Sequence, residues 1–246
     1  MGDAMRAETV SITGHEGAQL EAYFAQPLGD GPYGGVVVIH HMPGYDEPTK
    51  EIARRFADHG YFALCPNLYS REGPSMDPAE AAAAVREKGG VPDDQLVGDV
   101  GGAVSFLRSL DRSNGKAGTI GYCSGGRQSL LAACSLDLDA AVDCYGAFVV
   151  NEAPPDLGLE LTPIVGLVGS LSCPLLGLFG AEDSMPSPEE TAALGRALER
   201  EGKSFELHTF EHAGHAFFAV DRDMYRPGAA NEGWPIIWEF FGRTLR

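Results

Sequence analysis

Short apolar runs alternate with amphipathic stretches along most of the chain. The run Gly35–His40 reads GVVVIH, and its continuous β-branched residues are typical of a strand buried on both faces. The next segment, Glu47–Gly60, has Ile52, Phe56 and Ala57 on one stripe and a glycine at its end, which predicts a helix. Strands and helices alternate in this way to the C-terminus. The pattern predicts an α/β fold with a mostly parallel sheet and helices on both faces.

The remaining predicted elements follow from the same reading. Further strands are predicted at Leu20–Ala25, Tyr61–Cys65, Gly118–Gly121, Ala140–Tyr145, Pro174–Phe179 and Phe205–Phe210, and further helices from about Pro78 and at Asp93–Leu110, Ser124–Ser135, Ser187–Gly202 and Glu232–Leu245. The prolines and glycines of residues 146–173 predict a long surface excursion that caps a pocket or makes a subunit contact. A chain of 246 residues with this pattern is expected to form one domain, residues 1–246.

Composition narrows the class of protein. Hydrophobic residues make up 44% of the chain and charged residues 22%, so a sizeable core is expected. The 35 acidic and 18 basic residues give a net charge of −17, which would repel nucleic acids and anionic membrane surfaces. No apolar run is long enough to span a membrane, and residues 1–8 lack the apolar core of a signal peptide. We therefore expect a cytoplasmic protein that binds neither nucleic acid nor membrane.

The cysteines fit this expectation. The chain has 5 cysteines, an odd number, and no two of them form a CxxC pair. This argues against a disulfide scaffold and against a zinc ribbon, and it favours a reducing compartment. At least one thiol is then free for chemistry.

One cysteine lies in a pattern typical of a catalytic nucleophile. The predicted strand Gly118–Gly121 is followed by Tyr122-Cys123-Ser124-Gly125, which is the G-x-nucleophile-x-G turn between a strand and a helix. Gly121 and Gly125 are needed because a Cβ at either position would clash across the tight turn. The positive end of the helix dipole would favour a thiolate at Cys123. Taken alone, the turn is equally compatible with a buried, inert cysteine.

Two further residues come in the order that a catalytic triad requires. Asp183 follows the predicted strand Pro174–Phe179, and His215 follows the predicted strand Phe205–Phe210. Ligands of parallel sheets bind beyond the carboxyl ends of the strands, where both residues would lie. An imidazole there can take the proton of a thiol, and a carboxylate can fix the tautomer of the imidazole. The sequence therefore predicts a catalytic triad of Cys123, Asp183 and His215.

The chain resembles the dienelactone hydrolase family of the α/β-hydrolase superfamily from about Val36 to Leu245. The resemblance implies the α/β-hydrolase fold, a Cys–Asp–His triad and hydrolysis of a small ester or lactone without a cofactor or a metal. It also implies an oxyanion hole formed by the backbone N–H groups of Ser124 and Met42. The segments that carry the resemblance are Gly60–Tyr69, Gly121–Gly126, Gly180–Asp183 and Gly214–Phe217.

The sequence departs from the family pattern around the expected pocket. His41 stands where the archetypal enzyme has a glutamate that contacts the thiol, so it either touches the thiol or only lines the pocket. The family binds a substrate carboxylate with two arginines; Arg86 is one candidate here and Arg222 a weaker one. The stretch 216–219 that matches the other arginine is apolar, and Phe218 in it favours an apolar substrate group. Tyr145 is expected to border the pocket or to pack beside it.

Three alternatives remain open from the sequence. Histidines at 40, 41, 208, 212 and 215 raise the possibility of a metal site, although no HExxH motif is present. The fold could instead carry a non-catalytic module that binds a small molecule. A hydrolase with this triad could also be an ordinary esterase or thioesterase, because the chemistry is shared. The oligomeric state and the physiological substrate do not follow from the sequence.

Overall fold

The computed structural model describes residues 4–42, 44–73 and 76–246. Its strands are β1 (Met5–Thr13), β2 (Gln19–Pro27), β3 (Tyr33–Ile39), β4 (Phe62–Pro66), β5 (Ser113–Tyr122), β6 (Ala140–Cys144), β7 (Leu175–Gly180) and β8 (Phe205–Phe210). Its α-helices are α1 (Glu47–Asp58), α2 (Pro78–Glu87), α3 (Asp93–Arg108), α4 (Ser124–Ser135), α5 (Pro188–Arg200) and α6 (Pro227–Thr244).

All eight strands belong to one sheet, in the order β1-β2-β4-β3-β5-β6-β7-β8. The pairs β1–β2 and β2–β4 are antiparallel, and every pair from β4 to β8 is parallel. One core lies between the sheet and helices α2, α3, α4 and α5. A second core on the opposite face lies under α1 and α6. The prediction of an α/β fold with helices on both faces is confirmed.

The bounds of the predicted elements agree with the structure to different degrees. Helix α4 and strand β8 have the bounds that the sequence predicts. Strand β1 was not predicted, because its burial pattern is mostly exposed and its residues are polar at the edge of the sheet. Strand β5 begins five residues earlier than predicted, at Ser113, since its first half is polar and only half-buried. Helix α6 also begins earlier, at Pro227, the favoured first position for proline.

The segment 146–173 is irregular and partly exposed, as the sequence predicts, but several of its side chains are buried. It contains no α-helix or strand, but it has two 3₁₀ turns, at Pro155–Leu157 and Val165–Ser170. Glycine and proline indicated irregular structure correctly, but they did not indicate exposure. Its buried apolar side chains are Ala147, Val149, Ile164, Val168, Leu171 and Cys173, and all of them except Ala147 belong to the core on the side of α2, α3, α4 and α5.

The parallel arrangement brings the carboxyl ends of β3, β5, β6, β7 and β8 to one edge of the sheet. The residues that follow these strands therefore meet at that edge, which is where α/β folds bind their ligands. Across the part of the chain that the structure describes, no helix has the length and apolar character needed to cross a lipid bilayer.

Candidate active site

Cys123 lies on a strained turn between β5 and α4. Its backbone has φ 57° and ψ −120°, a conformation that residues other than glycine adopt only at a cost in free energy. The turn is held by two backbone hydrogen bonds: the Cys123 N–H donates to Cys144 O at 3.0 Å, and the Gly126 N–H donates to Cys123 O at 2.9 Å. The strain therefore persists because β6 and the first turn of α4 fix the backbone on both sides.

The glycines of the turn allow three segments to meet. A Cβ on Gly121 would overlap the carbonyl oxygen of Gly125. A Cβ on Gly125 would overlap the carbonyl oxygen of Ile39 and crowd that of His40, at the end of β3. Because both positions lack a Cβ, the start of α4 packs directly against the loop after β3. Met42 in that loop then lines the same cavity as Cys123.

Asp183 and His215 form a hydrogen-bonded pair. The Nδ1 atom of His215 lies 3.0 Å from Oδ2 of Asp183, whose side chain is 1% exposed. The other carboxylate oxygen of Asp183 accepts the N–H of Met185 at 2.9 Å. The loops after β7 and β8 are joined by the hydrogen bond from Glu182 N–H to Ala213 O, at 2.9 Å. The carboxylate is thus fixed from two sides and orients the imidazole.

This arrangement raises the pKa of His215. Burial acts to lower the pKa of His215, but its hydrogen bonds to Asp183 and Cys123, and their negative charges, raise the pKa to about 10. An imidazolium at neutral pH next to a thiol favours an ion pair with the thiolate. The arrangement can therefore supply both a nucleophile and an acid at the same place.

Cys123, Asp183 and His215 line one cavity of about 300 Å³. Ser124 lines it as well; as the first residue of α4, its N–H has no carbonyl partner within the helix. The remaining walls combine apolar side chains with two arginines. They are Met42, Arg86, Arg127, Gln128, Ala147, Phe148, Leu157, Leu159, Leu161, Ser184 and Met185.

The other four thiols differ from Cys123 in their environment. Cys123 is partly exposed, whereas all the others are buried. Burial raises the pKa of Cys134 to about 11 and that of Cys173 to about 12. Burial also raises the pKa values of Cys65 and Cys144. Cys123 is therefore the thiol best placed for reaction with a dissolved reagent.

His41 is paired with a carboxylate. Its Nε2 lies 2.8 Å from Oδ2 of Asp46. Asp46 also caps helix α1, because its Oδ1 accepts the N–H of Thr49 at 3.0 Å. Burial acts to raise the pKa of Asp46, but the hydrogen bonds from His41 and Thr49 lower it to about 2. His41 lines a second cavity and not the one that Cys123 lines.

The neighbouring His40 has a structural environment. It is 1% exposed, and burial lowers its pKa to about 4, so the ring is neutral at pH 7. Its Nε2 accepts the N–H of Leu68 at 3.2 Å, which leaves Nδ1 to donate to His41 O at 3.0 Å. Both ring nitrogens are therefore used within the fold. Among the described residues, no group of three or more His, Cys, Asp or Glu side chains could hold a metal ion.

Tyr145 and Phe218 border the second cavity, which has a volume of about 50 Å³. We call it the aromatic cavity; its walls include His41, Arg55, Tyr122, Tyr145, Phe218, Val220 and Trp234. The ring of Tyr145 also packs against the ring of His215, with centroids 5.2 Å apart. The two cavities therefore share a wall formed by Tyr145 and His215. Neither Tyr145 nor Phe218 lines the cavity of Cys123.

The two candidate arginines differ in position. Arg86 lines the cavity of Cys123, where its Nη2 donates to Sδ of Met42 at 3.1 Å. Among the described residues, Arg86 has no carboxylate within ion-pair distance. Arg222 lines neither that cavity nor the aromatic cavity. Only Arg86 is thus placed to meet a group bound near Cys123.

Sequence reasoning missed part of the cavity wall. Arg127, four residues after Cys123, is 2% exposed and forms a two-point ion pair with Asp93, at 2.8 and 2.9 Å. Leu157, Leu159 and Leu161 come from the segment 146–173, which the sequence analysis expected to cap a pocket or make a subunit contact, but the individual residues were not named. The alternation of leucines at every second position was a visible signal of one apolar face. No sequence pattern indicated the partner of Arg127.

Comparisons with known proteins identify the family of the chain. The sequence model described as "Dienelactone hydrolase family" matches residues 20–245. A protein of Escherichia coli K12 named "Putative carboxymethylenebutenolidase" is 33% identical over 242 residues, 97% of this chain and 88% of that protein. A crystal structure named "Putative Dienelactone Hydrolase", from Klebsiella pneumoniae, has 30% identity and a TM-score of 0.86, covering 98% of this chain and 99% of that one. The dienelactone hydrolase of Anabaena variabilis, at 21% identity and a TM-score of 0.72, covers 98% and 99% and shares the fold.

Proposed function

The chain belongs to the dienelactone hydrolase family and is a hydrolase of carboxylic esters or lactones, and we propose that Cys123, His215 and Asp183 carry its reaction. Its substrate is a small molecule. One observation carries the proposal. Cys123, on its strained turn, lines the same cavity as His215, whose ring is bound to the buried Asp183 at 3.0 Å. A nucleophile, a proton carrier and an orienting carboxylate are the three parts of a hydrolytic triad.

The first half of the reaction forms a thioester. The pKa of His215, raised to about 10, favours transfer of the Cys123 proton to the imidazole, which gives a thiolate beside an imidazolium. The sulfur attacks the carbonyl carbon of the ester, and the oxyanion accepts hydrogen bonds from the N–H groups of Ser124 and Met42. Each such donor lowers the barrier by about 2.7–4 kcal/mol. The tetrahedral intermediate then expels the alkoxide, which takes the proton of His215.

The second half releases the acid. Neutral His215 takes a proton from water, and the oxygen of that water attacks the thioester carbon. The intermediate collapses with loss of the thiolate, while the proton stays on His215 and restores the ion pair. Asp183 orients the imidazole in both halves. No step uses a cofactor or a metal ion.

The cavity also limits the charge of the substrate. Arg86 can bind one anionic or polar group near Cys123, whereas the apolar stretch 216–219 supplies no second cation. We therefore expect a weaker preference for anionic substrates than two arginines would give. Comparing kcat/KM for a neutral aryl ester and for its carboxylate-bearing analogue measures this. A strong preference for the anionic compound would contradict it.

Replacement of the nucleophile tests the proposed function. Cys123→Ala should lower kcat for 4-nitrophenyl acetate by about 10⁶-fold, the loss typical of a missing nucleophile. Cys134→Ala is the matched control, since that thiol lies outside the cavity; it should hydrolyse the ester at the wild-type rate. Circular dichroism should show native folding for both variants. Wild-type turnover by Cys123→Ala would exclude the mechanism.

A further inference from the structure

We call the cavity that Cys123 lines the catalytic cavity. A short segment beside it has leucines on one side only. We call residues 153–163 the strap. From 157 to 162 its residues alternate between half-buried and exposed: Leu157, Leu159 and Leu161 are half-buried, and Gly158, Glu160 and Thr162 are exposed. The three leucines therefore share the covered side of the strap, where Leu157 ends a 3₁₀ turn and Gly158 has left-handed backbone angles. All three leucines line the cavity that contains Cys123.

The strap is tied to the rest of the molecule at several points. The N–H of Glu160 donates to Gly89 O, after α2, at 2.8 Å. Nη2 of Arg127 donates to Thr162 O at 2.8 Å, and its guanidinium is itself fixed by Asp93. Directly after the strap, Ile164 is 2% exposed and its N–H donates to Val149 O. The leucines are therefore held at a fixed position relative to α4, the helix that begins at the nucleophile.

The interior of the cavity suits an uncharged chain. Met42, Phe148 and Met185 add apolar surface to that of the leucines, and methionine adapts easily to the shape of a flexible ligand. The charge of Arg127 is matched by Asp93, and that of His215 by Asp183. Arg86, which is exposed, is the remaining cation of the described wall. A volume of about 300 Å³ is within the range of small-molecule sites.

We propose that Leu157, Leu159 and Leu161 determine specificity by binding an unbranched aliphatic chain of the ester substrate. The chain lies on the acyl side or on the alcohol side of the ester; the leucines would bind it by the same apolar contacts in either case. This inference rests on the proposed function, since it names the substrate class of the same site. It predicts that catalytic efficiency rises with chain length, because each added methylene is removed from water.

Two substrate series test the proposal and separate the two sides of the ester. The first is 4-nitrophenyl esters from acetate to octanoate, and the second is n-alkyl acetates from methyl to octyl. In the series whose chain meets the strap, kcat/KM should rise about fourfold per methylene, equivalent to ~0.8 kcal/mol for each buried CH₂. The other series should be nearly flat. Acetate preferred over octanoate, together with methyl preferred over octyl, would overturn the proposal.

Variants of the strap test whether its leucines cause the dependence of kcat/KM on chain length. Leu159→Ala should lower the ratio of kcat/KM for the longest over the shortest substrate by about tenfold, and Leu161→Trp by more, because the indole fills the cavity. Leu167→Ala is the matched control: Leu167 follows the strap, is 44% exposed and does not line the cavity. It should keep the wild-type ratio. An unchanged ratio in both strap variants would contradict the assignment.

A binding measurement separates this inference from the proposed function. Calorimetry with Cys123→Ala should show that octanamide, for an acyl-side chain, or N-octylacetamide, for an alcohol-side chain, binds at least tenfold more tightly than acetamide. Adding Leu161→Trp should remove this difference. If no ester is hydrolysed, this comparison decides the role of the strap while the proposed function fails. If esters are hydrolysed through Cys123 but both series are flat, the strap proposal fails and the proposed function stands.

Discussion

The catalytic cavity and the aromatic cavity lie side by side, but different kinds of side chain line them. The catalytic cavity, of about 300 Å³, contains Cys123 and His215 and is lined on one side by the leucines of the strap. The aromatic cavity, of about 50 Å³, contains His41, whose ring is bound to Asp46. Tyr145 is the contact between them, since it borders the aromatic cavity and packs on His215. The catalytic cavity contains the reactive groups. Tyr145, at the border of the aromatic cavity, packs against the imidazole ring of His215.

We expect the residues of the two cavities to differ in role: those around Cys123 take part in the reaction, and those around the aromatic cavity stabilise the fold. Changes among the triad residues should affect the rate far more than the stability of the fold. Changes around the aromatic cavity should have the opposite effect, because its side chains are packed against each other. Phe218, for example, has ring contacts to Tyr122 at 5.8 Å and to Trp234 at 5.4 Å. The predictions below test whether the two regions can be separated in this way.

After loss of the nucleophile, the largest effect is expected for the carboxylate of the proposed triad. Asp183→Asn should lower kcat by about 10⁴-fold, because the amide no longer fixes the tautomer of His215 or stabilises its charge. Steady-state kinetics with 4-nitrophenyl acetate measure this. Asp223→Asn is the control, since Asp223 is exposed on the loop after His215 and should leave the rate unchanged. An unchanged rate in Asp183→Asn would remove Asp183 from the mechanism.

The pH dependence of activity tests the same pair of Asp183 and His215. Activity should fall as pH rises through about 10, where His215 loses the proton that it gives to the alkoxide. The His215 pKa is higher in the folded than in the unfolded chain. Its stabilisation of the fold is therefore fully present below pH 6.5 and is lost as pH rises through about 10. In the residual activity of Asp183→Asn, the falling limb should move to lower pH. A limb near pH 7 in the wild type would contradict the ion pair.

A smaller effect on rate, with a larger one on stability, is expected across the shared wall. Phe218→Ala should lower the free energy of unfolding by about 3–5 kcal/mol, because it leaves a void among packed rings. Its kcat should fall by less than tenfold. Val220→Ala is the control: Val220 borders the same cavity but is 55% exposed, so its loss should cost little. Denaturant titration and kinetics measure both quantities. A loss of rate without a loss of stability would place Phe218 in the reaction.

The smallest effect on rate is expected for His41. Because its Nε2 is bound to Asp46, His41→Ala should change kcat/KM by less than tenfold. It should change acid stability instead: the Asp46 pKa, now about 2, would rise towards 3.8. The stability that Asp46 contributes is present above pH 3.8 and lost as pH falls towards 2, so acid unfolding should begin at higher pH in His41→Ala. A hundredfold loss of rate would indicate contact between His41 and the thiol.

The buried elements of the fold followed directly from the sequence. Strand β3, the run Gly35–His40 in the prediction, is apolar throughout because both of its faces are covered. Strand β1 could not be recognised by the same rule, since its side chains are largely exposed and polar. For the segment 146–173, the irregular course could be predicted but the buried residues could not, because prolines and glycines report on backbone geometry and not on burial. Whether a side chain of this segment is buried depends on the helices that pack against it.

The candidate site divides in a similar way. The order of Cys123, Asp183 and His215 could be predicted because each follows a strand of a parallel sheet, and such positions meet at one edge. The partner of His41 could not be predicted, since it depends on the rotamer of a loop residue. The pairing of Arg127 with Asp93, and through it the position of the strap, joins residues 34 positions apart. Contacts between side chains on separate elements are not encoded in local periodicity.

The most direct test of the central claim is to find the acyl group on the protein. Wild-type enzyme is mixed with 4-nitrophenyl acetate, quenched in acid within the first turnover and analysed by peptide mass spectrometry. The mechanism predicts one acetyl group per chain, on the peptide that contains Cys123 and released by hydroxylamine, and none in Cys123→Ala. An acetyl group found on another residue, or ester hydrolysis without any acylated peptide, would contradict it.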